Sequence, residues 1–430
     1  MAQSICIDFG STYTKVALRN DWNSPGTLAT FSQFGRTPEA QICVPSIVCE
    51  SRRGKMSKWY YFNEAADLRP GEGIIVYRNW KSHFSTPQPE PDPDLLTAAG
   101  KFFPELRKLC SMHPVLKEFI DAPTRLCVPD FGRLGVWKTW LQTILCSAGW
   151  NCKGQFLLTE PEANLIGALT CGRNSVWTPP KTNSTSLQIR MMRMFDGDSG
   201  LLGKARDAML FHRDDKRYSA LIIDVGAYTT DCGLISWEDV SSGEFNSQNI
   251  QTKSDEIGVR DLDNDLLGAL GQDCKNLRDE MSFSEFERMK MALLLGKEYS
   301  VVMNGKPRVI GGAEEKDRIG SVVMNFGARI VAVVDAFLKH KAHGRVDTVV
   351  LTGGGTLIPG VNEVLKNRFS GAGSHVVELG GQMFLNSKLD QDLSRDDRLA
   401  RNQLLVRGAS AVGGASVYFD TKGGTLEIDQ

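Results

Sequence analysis

The chain alternates between apolar runs that stop abruptly at polar turns and longer stretches in which apolar residues recur every three or four positions. Two of the runs share an outline. "ICIDFGSTYTKVAL" from Ile5 and "ALIIDVGAYTTDCGLI" from Ala220 each drive an apolar strand into Asp-x-Gly, pass hydroxyl-bearing residues and resume an apolar strand. Short β-branched runs bounded by such turns predict hairpins. "QICVPSIVCE" adds a strand-like segment, and "STPQPEPDPD" from Ser85 predicts an extended polyproline-type surface loop. "LGVWKTWLQTILCSAG" carries helical spacing up to Gly149, a natural helix stop. "FLLTEPEANLIGAL" reads as a strand broken at Pro161 that leads into a small-residue helix, where a proline in the first turn costs little.

From Gly172 to Arg217 the periodicity dissolves into loop chemistry, "WTPPKTNSTS", and a locally basic stretch. Order then returns with the scheme of the first half. Helices are predicted around "LDNDLLGALG", "FSEFERMKMALLLG" and "NFGARIVAVVDAFLKHK"; "DTVVLTGGGTLIPGVNEVLKNRF" reads strand, glycine loop, helix; and "DRLARNQLLVRGASAVGG" is a last helix. The pattern divides the chain into 1–171, an insertion at 172–217, a second unit at 218–395 and a terminal helix with tail at 396–430.

Composition narrows the class without choosing a function. At 430 residues and 41% hydrophobic the chain is long enough for two cores. Lys+Arg 50 against Asp+Glu 51 removes any global attraction to nucleic acid or an anionic membrane, so recognition is local. No basic or apolar leader precedes Ile5 and no run reads as a bilayer span, which makes a cytoplasmic protein the expectation. The ten cysteines form no CxxC pair, and Cys6, Cys127, Cys146 and Cys232 sit in apolar runs, as reduced buried thiols do. His340 and His343 lack partners at ligand spacing, so no metal site is expected there.

The chemistry concentrates in the repeated turn. Asp8, Gly10 and Thr14 align with Asp224, Gly226 and Thr230. Glycine lets backbone amides approach an anion, and neighbouring hydroxyls add donors. A carboxylate does not bind phosphate directly, so the intermediary is a hydrated divalent cation. One such hairpin alone reads better as a tight turn built from Asp and Gly. Two in register, with a third glycine loop at "TGGGT", favour a clamp on a polyphosphate and its metal.

These motifs resemble the actin, sugar-kinase and heat-shock chaperone ATPase superfamily, and most closely the nucleotide-binding domain of the DnaK-type (heat shock protein 70) chaperones. "IDFGSTYT" and "IDVGAYTTD" look like the two phosphate loops; "LLTEPEAN", "IGVRDLDNDL", "FERMKMALL" and "LTGGGTLIPGV" match further motifs in the same order. The resemblance implies an α/β fold of two actin-like lobes, duplicated ribonuclease-H-like domains around a central nucleotide cleft. It implies ATP or ADP with Mg2+. By the same likeness Asp8, Asp224 and Glu160 would hold the metal through water, with Asp231 behind them. Gly10, Ser11, Thr12, Tyr13, Gly226, Ala227, Tyr228 and Gly258 would surround the phosphates. Lys81, Glu160, Asp224 and Thr229 would serve hydrolysis. Glu287 and Lys290 would reach the ribose or base, Gly353, Gly354 and Gly355 the nucleoside and first phosphate, and Met291 and Leu357 the faces of the base.

The sequence departs from that family at several points. Ala227 and Tyr228 replace glycines; a left-handed Tyr228 would cost roughly 1–2 kcal/mol and crowd the last phosphate. Met291 and Leu357 stand where the chaperones carry arginines, losing a cation–π attraction of about 0.5–2 kcal/mol. After Gly414 only "ASVYFDTKGGTLEIDQ" follows, so the resemblance includes no peptide-binding domain. The expected function is a nucleotide-dependent conformational switch read by an unidentified protein partner. The alternatives are an actin-like filament, with 172–217 as a candidate contact for partner or self, and a non-hydrolysing scaffold. A small-molecule kinase lacks an acceptor-base motif.

Overall fold

The computed structural model describes residues 3–19, 26–35, 38–53, 57–79, 92–130, 134–152, 156–170, 217–238, 246–303, 305–341, 346–378 and 406–415. The protein is a mixed α/β structure whose two main sheets follow one strand order. In the first, β1 (Ser4–Phe9), β2 (Tyr13–Arg19), β3 (Thr27–Leu28), β4 (Thr124–Val128) and β5 (Leu157–Thr159) lie in the order β3-β2-β1-β4-β5, with Val44–Pro45 pairing β2 as a sixth strand. In the second, β6 (Arg217–Val225), β7 (Thr230–Glu238), β8 (Asn246–Asp255), β9 (Thr348–Thr352) and β10 (His375–Glu378) lie in the order β8-β7-β6-β9-β10. In both, the first three strands pair antiparallel and the fourth and fifth add in parallel.

Strand alternation sorts each sheet into a large-residue face and a small-residue face. Ile5, Ile7 and Phe9 of β1 join Phe102, Phe103 and Leu106 of the Pro93–Met112 helix in one core. Leu221, Ile223 and Val225 of β6 join Ile319, Val323, Phe326, Ile330, Val334 and Phe337 of the Ala313–Lys341 helix in another. The intervening residues, Cys6 and Asp8 of β1 and Asp224 of β6, point the other way. There two helices, Glu160–Thr170 and 406–415, lie between the sheets.

Those helices touch through glycine. A Cβ at Gly413 would collide with the Ala163 carbonyl and the Gly167 amide, and one at Gly167 with the Ala409 carbonyl. The 406–415 helix is fixed to the first sheet by Ser4 Oγ donating to the Ala415 carbonyl at 2.8 Å and by Arg125 Nη1 donating to the Gly414 carbonyl at 3.2 Å. Burial lowers the Arg125 pKa to about 10, yet it stays cationic, as suits the partial negative charge of a helix C-terminus.

Several expectations change. The loop predicted at 85–94 ends early, because Pro93 starts a 20-residue helix whose first turn is capped by Asp92 Oδ1 accepting from the Asp94 amide at 2.9 Å. Cys146 is exposed rather than buried; the other eight described cysteines are buried thiols. The Ala313–Lys341 helix begins well before the predicted segment and, contrary to expectation, has the length and composition of a membrane span. Its core-facing stripe and its ion pairs, Arg329 with Asp265 and Asp335 with Arg368, account for that composition in a helix packed on a sheet.

Replacing Gly413 with Val should destabilise the protein by about 3 kcal/mol or more, since neither colliding group is a flexible side chain. Urea unfolding of the full chain would show a lowered midpoint, whereas Gly312→Val, which meets open space, should shift it little.

Candidate functional site

The carboxyl ends of the parallel strands of both sheets face one another, the place where open α/β sheets present ligands to a crevice. Asp8 ends the small-residue face of β1 and Asp224 that of β6. Glu160 follows β5 directly, and Gly353 to Gly355 follow β9. One cavity is lined by groups from both sheets: Asp8, Gly10, Ser11, Thr12, Tyr13 and Glu160 on one side; Asp224, Gly226, Ala227 and Asp231 on the other. Glu287, Lys290, Met291 and the three glycines complete the predicted residues that line it. Tyr228, Thr229, Gly258 and Leu357 are not on its wall, and Lys81 lies outside the described residues.

Polar contacts hold the acids in place. Lys15, paired across the hairpin with Asp8, donates Nζ to Asp8 Oδ2 at 3.1 Å. Asn164 Nδ2 donates to Asp224 Oδ2 at 2.6 Å, and Ser410 Oγ donates to Asn164 Oδ1 at 2.8 Å, so both interlayer helices support that carboxylate. Asp231, 2% exposed, accepts from Thr229 Oγ1 at 3.0 Å and from Ser254 Oγ, which in turn accepts from the Asp130 amide just beyond β4. The Thr229 hydroxyl is thus occupied behind the cavity. Among the described residues no three His, Cys, Asp or Glu side chains cluster closely enough to ligate a metal directly. Ser11 Oγ, in a residue 5% exposed, has no hydrogen-bond partner among the described residues and faces the same space.

The turns require glycine for different reasons. Gly353 has φ +87°, and a Cβ there would strike the Asp224 carboxylate. Gly258 lies under the second turn, where a Cβ would meet the Ala227 and Tyr228 backbone; the amides of Val259 and Arg260 donate to the Gly226 and Ala227 carbonyls at 3.0 and 2.8 Å. Gly258 therefore shapes the turn from behind. Tyr228 does not take the left-handed conformation that its place among family glycines suggested, and the expected strain is absent. Its hydroxyl donates to Glu256 Oε2 at 3.1 Å and Arg260 lies 6.0 Å from its ring centre, which draws the ring out of the cavity.

One end of the cavity is apolar. Met291, 46% exposed, stands with Leu294 and Ile358 on its wall, and Leu357, 44% exposed, lies beside it. Lys290 is buried and binds Glu287 Oε1 at 2.6 Å and Asp263 Oδ1 at 3.2 Å, so its pair with Glu287 is not a solvated surface pair. Burial alone would lower the Lys290 pKa; the two carboxylates outweigh it and the ammonium is held charged. Burial raises Asp263 in turn.

Sequence reasoning missed Lys15, Cys43, Asn164, Arg407 and Ser410, all in or against the cavity. Lys15 had a signal, one residue past the aligned turn. Asn164, Arg407 and Ser410 had none, since their place depends on helices that meet only in the folded chain; Cys43 precedes the Val44–Pro45 strand that pairs β2. No family model and no curated protein matches this chain.

Arg69 Nε donates to Glu285 Oε2 at 3.0 Å and its Nη2 pairs with Oε1, on the helix that carries Glu287 and Met291. Hydrogen bonding from Arg69 holds the Glu285 pKa down at about 2. A depressed carboxylate contributes fully above its ordinary pKa and loses its contribution only as pH falls through the folded value, so the pair should stay intact from about pH 5 to about pH 8. Arg69→Ala should speed amide hydrogen exchange in Phe283–Leu294 several-fold at both ends of that range. Equal exchange in variant and wild type would show that the pair does not restrain the helix.

Proposed function

We propose that this chain is a magnesium-dependent ATP-binding protein of two-lobed, actin-like architecture that hydrolyses ATP slowly and works as a conformational switch. The reading rests on one observation above others: Asp8 and Asp224, at matching ends of two sheets with one strand order, line a single cavity with a glycine turn and an apolar end. A polyphosphate with a planar apolar group has that distribution of polarity. The two interlayer helices, packed backbone to backbone, would be the pivot about which the lobes close.

The residues suit a hydrated magnesium ion, which Asp8, Asp224 and Glu160 would hold through its waters, with Asp231 fixed behind. When bound, the ion would neutralise charge on the phosphate oxygens and so ease transfer of the terminal phosphoryl group. The backbone of Gly10–Tyr13 and of Gly226–Ala227 would donate to phosphate oxygens, and the Ser11 hydroxyl gains an acceptor there. Lys15, on Asp8, adds a positive charge at the same wall. With Tyr228 turned toward Glu256, its ring is off the cavity wall, which favours hydrolysis over a purely non-hydrolysing scaffold. Lys81 is the proposed residue for orienting the attacking water. Any partner or self-contact through 172–216 lies outside the described residues, Arg217 being already the first residue of β6, and a cytoplasmic location is part of the same proposal.

Calorimetric titration tests this directly. ATP should bind in the presence of magnesium and more weakly in EDTA, and Asp8→Asn or Asp224→Asn should weaken the magnesium-dependent part by roughly tenfold or more, about 1.4 kcal/mol. Lys81→Ala should retain binding while phosphate release falls by about 10²-fold or more. No binding of ATP to wild type under either condition would overturn the reading.

A further inference from the structure

Arg407 lies on the helix described at 406–415 and reaches the cavity wall. The residue before it ties the helix to the second sheet: the Val406 carbonyl accepts from the Gly353 amide at 2.7 Å and from Thr352 Oγ1 at 2.9 Å. The body of the same helix packs on the first sheet through Ala411, Ala415 and Gly414. Arg407 thus stands where the two sheets are joined.

Its partners in the cavity are poor. The side chain lies beside the Cys43 thiol, a weak acceptor for a guanidinium. Its Nε is buried with no hydrogen-bond partner among the described residues. Ser11 Oγ, nine-tenths buried in the same cavity, is a second donor in that condition. Buried donors are ordinarily satisfied, and two on one cavity point to a ligand with acceptor oxygens. The Arg407 Nη1 atom is also the nearest group on the open side of Gly354, 3.9 Å from where a Cβ would stand. Gly354 lies four residues before Ile358 on the apolar wall, so the guanidinium sits near the passage from the polar end to the apolar end.

We infer that Arg407 is a phosphate-binding residue, holding the phosphate group nearest the nucleoside; the inference rests on the nucleotide reading above. An arginine there meets the ligand on a wall separate from the acids, so it adds charge complementarity without competing for the metal. Because its helix joins both sheets, ligand held by Arg407 is held by the pivot itself.

The full-length wild type, Arg407→Met and Arg407→Lys would be titrated with ADP, ATP and phosphate-free adenosine in magnesium buffer. The Met variant should bind ADP and ATP about 10–100-fold more weakly, with adenosine unchanged, and Lys should recover most of the loss. Thermal unfolding without ligand reports whether each variant folds. If the Met variant does not fold, Arg407→Gln against Arg407→Lys decides, with charge expected to govern ADP affinity. Unchanged ADP affinity in a folded, uncharged variant, or an equal loss for adenosine, overturns the role of Arg407 and leaves the nucleotide reading standing. Failure of the wild type to bind any of the three ligands overturns both.

Discussion

Placing carboxylates of like sign from two different sheets in one cavity is the constraint on which the rest of the structure depends. Like charges brought into one partly enclosed space repel more strongly than they do in bulk water. The cavity is therefore built around compensation. Lys15 stands against Asp8, Asn164 donates to Asp224, and Thr229 and Ser254 donate to Asp231. Lys15 and Thr229 come from the hairpins themselves, whereas Asn164 and Ser254 come from elements set by tertiary packing, so the acids and the layers that support them form one unit.

The two edges of the cavity are held by different physics. On the inner side the Glu160–Thr170 and 406–415 helices meet through Gly167 and Gly413, with little slack for movement apart. On the outer side the sheets' attached elements meet through Arg69 with Glu285 and Arg78 with Asp279. Ion pairs with exposed members contribute about 0–1 kcal/mol each, far less than a packed helix interface. The two edges are thus unequal: separating them would cost little at the ion pairs and much more at the glycines.

The two hairpins were legible because a strand's alternation and a turn's glycine are local properties, readable in "IDFG" and "IDVG". So was the strand, glycine turn and helix around Gly353. The Pro93–Met112 helix escaped notice because proline-rich sequence before it reads as loop, while its capping depends on one side chain, Asp92. The swing of Tyr228 toward Glu256 was equally hidden, since it is a contact between residues 28 apart.

The sequence by itself determined which carboxylates end which strands, which turns need glycine and which helical faces are apolar, because these follow from periods of two and three to four residues. Only the tertiary structure decided that Asp8 and Asp224 share one cavity, that Lys290 is buried between two acids, and that Arg407 reaches Gly354. The reason is that convergence is a property of distance in space. Close packing of two glycine-bearing helices between the sheets sets those distances, and no local pattern encodes how closely two backbones approach.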